Sequence, residues 1–172
     1  RRIISPGECY DLWETYIRGF RRPCRDLTAG DVMQYHHRVL DIFQKTTTNR
    51  RNKLLLKITG WPRVAFLKEL FPNASFVHVI RDGRAVAASN LKVGFWKGYE
   101  GPQNWRWGNL PEEYLEEWGR HGRSFVALAG IQWKILMDAA EESWRSVSSE
   151  NFFEGRCEDL CENPISETRR IV

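Results

Sequence analysis

No stretch of this sequence approaches the ~20 consecutive apolar residues that a membrane-spanning helix needs, so no membrane segment is expected in it. The opening Arg1-Arg2-Ile3-Ile4 is not followed by the apolar stretch of ~7–15 residues that a signal peptide carries, and it lacks an initiator Met, as a fragment would. Cysteine is scarce. Cys9, Cys24, Cys157 and Cys161 form no C-x-x-C pair, and no histidine stands near them at zinc-site spacing. A chain of 172 residues is long enough to hold a core without disulfides, so the four are read as ordinary reduced thiols. No acidic or histidine cluster suggests a metal. Internal repeats and low-complexity tracts are absent, which excludes a solenoid. An excess of charge is lacking too: the net charge of +4 favours anionic partners only mildly, and the basic residues are dispersed. Nucleic acid is therefore not an expected partner.

The composition that remains, 42% hydrophobic and 28% charged, is that of one globular domain. Eight tryptophans are unusual and imply an aromatic core or pocket wall. Arg2-Ile3-Ile4 resembles the tail of a strand. Ser5-Pro6-Gly7-Glu8 then reads as a capping box, followed by a helix with Leu12, Trp13, Tyr16 and Ile17 on one face. A second helix is expected from Thr28, burying Val32, Tyr35, Val39, Leu40 and Phe43. Lys53 to Ile58 reads as a strand. Pro62 opens a helix through Val64, Phe66, Leu67 and Leu70. Phe76 to Ile80 is a second strand that turns at once into a helix over Arg84 to Leu91. Gly94 to Leu110 has no period and reads as a loop. A long helical region from Pro111 to Arg145 is broken near Gly119 to Gly122, and Phe152 to Cys157 is the last strand.

Strands alternating with helices predict an α/β fold with a covered parallel sheet. Ligands of such sheets sit at the carboxyl ends of the strands. That rule selects Ser5 to Glu8, Lys57 to Trp61, Arg81 to Arg84 and Arg156 to Asp159. Arg81 is the most informative of these. It ends an apolar strand where a helix begins, so its planar fork and the helix N–H groups suit a phosphate. Asp82 is a plausible N-cap, Gly83 permits close approach, and Ser89 offers a hydroxyl about two turns on. The bland alternative pairs Arg81 with Asp159 and lets Ser89 pack.

The segment LFPNASFVHVIRDGRAVAAS, Leu70 to Ser89, resembles the core of sulfotransferases that use 3′-phosphoadenosine 5′-phosphosulfate (PAPS). In that family an Arg ending a strand and a Ser eight residues later grip the cofactor's 3′-phosphate, as Arg81 and Ser89 are spaced to do. The RDGRAV wording is most similar to bacterial and tyrosylprotein sulfotransferases. LLLKITGWPRVAFLKELFP resembles the family's preceding strand, loop and helix, with its lysine at Lys57. GRCEDLCENP resembles the recurring R-Y-E-D-L segment, with Cys157 where a Tyr beside the adenine is usual. ECYDLW, Glu8 to Trp13, resembles a Glu-x-x-x-x-Trp stretch of bacterial members.

The resemblance implies a P-loop-NTPase-like parallel sheet flanked by helices, with the 5′-phosphosulfate loop expected upstream of Arg1 and the adenosine-closing segment beyond Val172. Residues 1–172 would then be a single domain incomplete at both ends, inactive alone. The implied cofactors are PAPS and adenosine 3′,5′-bisphosphate (PAP). The implied partner is a hydroxyl acceptor: glycan, tyrosyl protein or small molecule. Arg81, Ser89 and Cys157 are the expected cofactor-binding residues. Lys57 and Glu8 are the expected catalytic residues, Lys57 at the sulfuryl oxygens and Glu8 as base. Each has a structural alternative, a solvated strand-end charge for Lys57 and the cap with Ser5 for Glu8. The catalytic His of cytosolic members is replaced by Thr59. His78 reads as a core histidine. Trp96, Trp105 and Trp107 are candidate walls of an acceptor site. Two rivals stand beside this reading. One is a non-catalytic anion- or glycan-binding module. The other is a nucleotide kinase fragment, with Asp82 and Asp159 as magnesium ligands.

Overall fold

Apolar residues at helical spacing assemble the first core. The structure, a computed structural model, describes residues 10–17, 20, 25–32, 36–46, 54–105 and 109–171. Helix α1, Tyr10–Tyr16, turns Trp13 inward. Its indole stacks on Phe20 at 4.8 Å between centroids, and Phe43 and Phe66 flank it at 5.2 and 6.1 Å. Phe43 comes from α2, His36–Thr46, where Val39 lies one turn before it on the buried face. Phe66, Leu67 and Leu70 come from α3, Val64–Leu70. Where a helix is expected from Thr28, a 3-10 turn, Ala29–Asp31, begins: the Asp31 carboxylate accepts both the N–H and the hydroxyl of Thr28, a capping box, and α2 is described from His36.

Two parallel strands carry the α/β character. β1, Phe76–Ile80, pairs with β2, Phe152–Arg156, in the register Phe76 to Phe152 through Ile80 to Arg156. Parallel neighbours need a long crossover, supplied by α4 (Gly83–Asn90), α5 (Glu112–Arg120) and α6 (Phe125–Trp144). The break between α5 and α6 falls where the sequence places it: Gly122 and Arg123 take φ of 66° and 53°, and Ser124 caps α6. Around it lies a second core of Trp105, Leu110, Tyr114, Leu128, Ile131 and Ile135. Helices α7, Cys157–Glu162, and α8, Pro164–Ile171, follow β2.

The strand expected over Lys53 to Ile58 is not part of the sheet among the described residues. Residues 54–59 have no ladder partner among the described residues, and Leu55 is 93% exposed. An apolar run of strand length becomes a strand only when another backbone completes its hydrogen bonds. The sheet is likewise covered on one face only. Phe76 and His78 lie against Trp144 of α6, whereas Val77 and Val79 are 41% and 49% exposed among the described residues.

His78 shows what the covered face demands. Its Nδ1 accepts the indole N–H of Trp144 at 3.1 Å, which requires the neutral ring, and the Glu154 carboxylate stands 3.4 Å from the same nitrogen. Burial lowers its pKa and outweighs the carboxylate, which acts to raise it. Above the unfolded value of about 6.5 the imidazole is neutral folded or unfolded, and costs nothing. As pH falls below that value the unfolded chain takes up a proton that the folded site resists, so stability is lost. Urea midpoints between pH 7.5 and 5 should therefore fall more steeply in the wild type than in His78→Asn. Equal slopes would assign the acid sensitivity elsewhere.

Candidate functional site

The parallel register sets Arg81 beside Cys157, since each is the first residue after the paired Ile80 and Arg156. The Arg81 charge acts to lower the pKa of the Cys157 thiol. Burial and the neighbouring Cys161 thiol outweigh it, so that pKa is raised overall. Arg81 is exposed, and among the described residues no carboxylate pairs with it, Asp159 included. The nearby acids are committed elsewhere. Asp82 accepts the N–H groups of Arg84 and Ala85 and the Arg84 guanidinium, which hold its pKa well below the usual carboxylate range. Glu158 reaches back from α7 to accept the N–H of Asp82 at 2.9 Å, and that bond lowers its pKa. Of the two arginines flanking Asp82-Gly83, Arg84 is thus neutralised and Arg81 is not.

Two features of this turn bear on those expectations. Arg84 N and Ala85 N of α4, and Asp82 N before it, bind carboxylates. Of the first amides of α4, Gly83 N is the one that neither carboxylate takes, so an anion here would meet it and side chains. Gly83 has a packing reason: a Cβ on it would lie 2.8 Å from the Trp133 ring of α6, so its smallness lets α4 and α6 meet. Asp82, as a committed cap, also weakens the kinase alternative, and no group of acids or histidines among the described residues could hold a metal. Ser89 lies near the end of α4 and is exposed.

Lys57 lies in the non-ladder stretch before Thr59-Gly60-Trp61 and is exposed. That loop is tied from two sides. The Tyr10 hydroxyl donates to the Thr59 carbonyl at 2.8 Å, lies 3.0 Å from the Thr59 hydroxyl, and accepts the Thr59 N–H at 3.2 Å. Arg63, 3% exposed, donates to the carbonyls of Thr59, Trp61 and Phe20 at 3.2, 2.7 and 3.2 Å, and its guanidinium stacks 4.5 Å above the Phe20 ring. Thr59 is thus a threonine tied to a tyrosine. Glu8 lies outside the described residues, two positions before Tyr10.

Of the two roles open to the loop tryptophans, acceptor wall or structural anchor, two of the three residues take the second. Trp96 is buried and donates its indole N–H to Gln132 at 2.6 Å, and Trp105 is 2% exposed in the second core. Both are scaffold. Trp107 lies outside the described residues. Among the described residues the exposed aromatics of this loop are Phe95 and Tyr99, the latter accepting from Lys97.

Sequence reasoning missed Tyr10 and Arg63, and it included Glu158 in the Arg156 to Asp159 segment without giving it a role. Glu158 had a signal, an acid one residue after the strand end beside Cys157. Tyr10 and Thr59 are 49 residues apart and had none.

A model of the sulfotransferase family matches residues 20–172. The matched span contains Lys57, Arg81, Ser89 and Cys157 and leaves Glu8 outside it. No curated protein and no solved structure matches the chain.

Proposed function

The chain belongs to the sulfotransferase family, and from that premise we propose that it forms the 3′-phosphate-binding part of a PAPS-dependent enzyme with a P-loop-like sheet, acting on a hydroxyl acceptor. The observation that carries the proposal is Arg81. It stands at the carboxyl end of β1, beside Cys157, without a carboxylate partner among the described residues, while both neighbouring acids are occupied. An exposed guanidinium in that setting is ready to form charge-assisted bonds to a phosphate. Ser89 adds a neutral hydroxyl, and Cys157 borders the adenine side.

The bound donor supplies the sulfuryl group. In this reading Lys57 neutralises charge on the transferring oxygens, and Glu8 accepts the proton of the attacking hydroxyl. The Tyr10–Thr59 bonds support putting these two in one site, because Glu8 and Lys57 each lie two residues before a bonded partner.

The test is calorimetric titration of the full-length protein with PAP. Arg81→Ala should weaken binding by about 1.5–3 kcal/mol, roughly one to two orders of magnitude in Kd. Ser89→Ala should cost less. Equal affinity of Arg81→Ala and wild type would remove the assignment. Tight PAP binding without transfer to any hydroxyl would instead mark a binding module.

A further inference from the structure

We propose that Tyr10 and Arg63 are positioning residues, which together clamp the Thr59 loop and thereby set the placement of the Lys57 ammonium group. The proposal rests on the reading of Lys57 given above. Residues 54–59 lie outside the β1–β2 ladder, and side chains from two other parts of the chain bond this loop. Tyr10 holds Thr59 through its carbonyl, hydroxyl and N–H, and Arg63 holds the same carbonyl together with that of Trp61. The Thr59 carbonyl thus receives a donor from each side, two residues beyond Lys57.

Arg63 is an expensive way to tie a loop. A buried guanidinium must be compensated, and here backbone carbonyls and the Phe20 ring do much of it. Its backbone also takes φ 53°, which a non-glycine residue rarely adopts. The Asp26 carboxylate accepts its N–H at 2.8 Å and the N–H of Leu27 at 2.9 Å, which locks that conformation. Strain and buried charge of this kind persist where the surroundings over-determine the geometry, and they cluster at functional sites. A displacement of about 1 Å in such a group can cost ~10²-fold in rate, so fixing the loop from both sides serves the Lys57 role directly.

The experiment is a double-mutant cycle on the full-length protein, read by PAPS and PAP affinity and by thermal melting. Lys57→Ala should weaken PAPS binding by ~10-fold or more, the worth of one charge-assisted contact, with PAP little changed. Tyr10→Phe and Arg63→Lys should each weaken PAPS ~3–10-fold, a fraction of that contact, and leave PAP within about twofold. In a Lys57→Ala background neither should weaken PAPS further, because both act through that ammonium group. Equal losses with and without Lys57 would reduce the clamp to general stability and overturn the proposal, as would undiminished PAPS binding in both variants. If Arg63→Lys fails to fold, Tyr10→Phe removes a single oxygen and decides alone. Unchanged PAPS affinity in Lys57→Ala would refute the Lys57 role and the clamp together, while leaving the Arg81 assignment to its own titration.

Discussion

Trp13→Ala is expected to destabilise the protein by about 3–5 kcal/mol, the range for removing a large aromatic from a packed core. Trp13 is 2% exposed and meets the rings of Phe20, Phe43 and Phe66. Those rings come from separate segments of the first core, so the loss is not confined to one helix. Its indole N–H is buried without a partner among the described residues. Trp13→Phe therefore removes an unsatisfied donor along with some volume, and should cost much less than alanine. Urea unfolding at neutral pH would measure both. An alanine cost below about 1.5 kcal/mol, the size of a volume-conserving swap, would show that the aromatic stack does not hold this core. The consequence reaches the site. α1 carries both Trp13 and Tyr10, so loosening it releases the hydroxyl that bonds Thr59. A destabilised but folded Trp13 variant should thus bind PAPS less well than PAP affinity alone would suggest.

Features governed by neighbours in sequence were legible before the structure. β1 with its abrupt turn at Arg81, the Asp82 cap and the α5–α6 break at Gly122 all follow from residues within a turn or two of each other. Family membership was legible as well, because motifs around Lys57, Arg81 and Cys157 occur in one order. What depended on distant partners was not. Leu54, Leu55 and Leu56 read as a strand, yet pairing belongs to the backbone alongside and not to the run itself. Arg63, beside Pro62 and one residue from an apolar helix, reads as a surface charge, and only the carbonyls of Phe20, Thr59 and Trp61 make its burial tolerable.

An aspartate at an N-cap and an anion at the same helix terminus compete for the same amides. Asp82, legible as a cap, takes Arg84 N and Ala85 N. The tryptophans taught the converse. Trp96 sits in a loop without periodicity, yet it is buried because Gln132 offers an acceptor and Gly98 leaves room for the ring, where a Cβ would sit 2.1 Å from it. Loop residence therefore says little about exposure when a large aromatic can anchor the loop.

Glu8→Gln should lower turnover by about 10²–10⁴-fold, the usual worth of a positioned general base. Glutamine keeps the size and hydrogen-bonding reach of the side chain but has no basicity, so the cap with Ser5 should largely survive. Adenosine bisphosphate affinity should be nearly unchanged, since in the proposed reading that rests on Arg81 and Ser89. Its support is positional. The Tyr10–Thr59 bonds join the segment that follows Glu8 in sequence to the segment just after Lys57. If Glu8 serves only the cap, the same substitution should leave turnover near wild type and cost at most about 1 kcal/mol of stability. Single-turnover sulfation of an accepted hydroxyl substrate by the full-length protein, with melts of the same samples, separates the two. A rate unchanged with a small drop in melting temperature would rule Glu8 out as base. A rate that falls while melting and cofactor affinity hold would place the proton on its carboxylate.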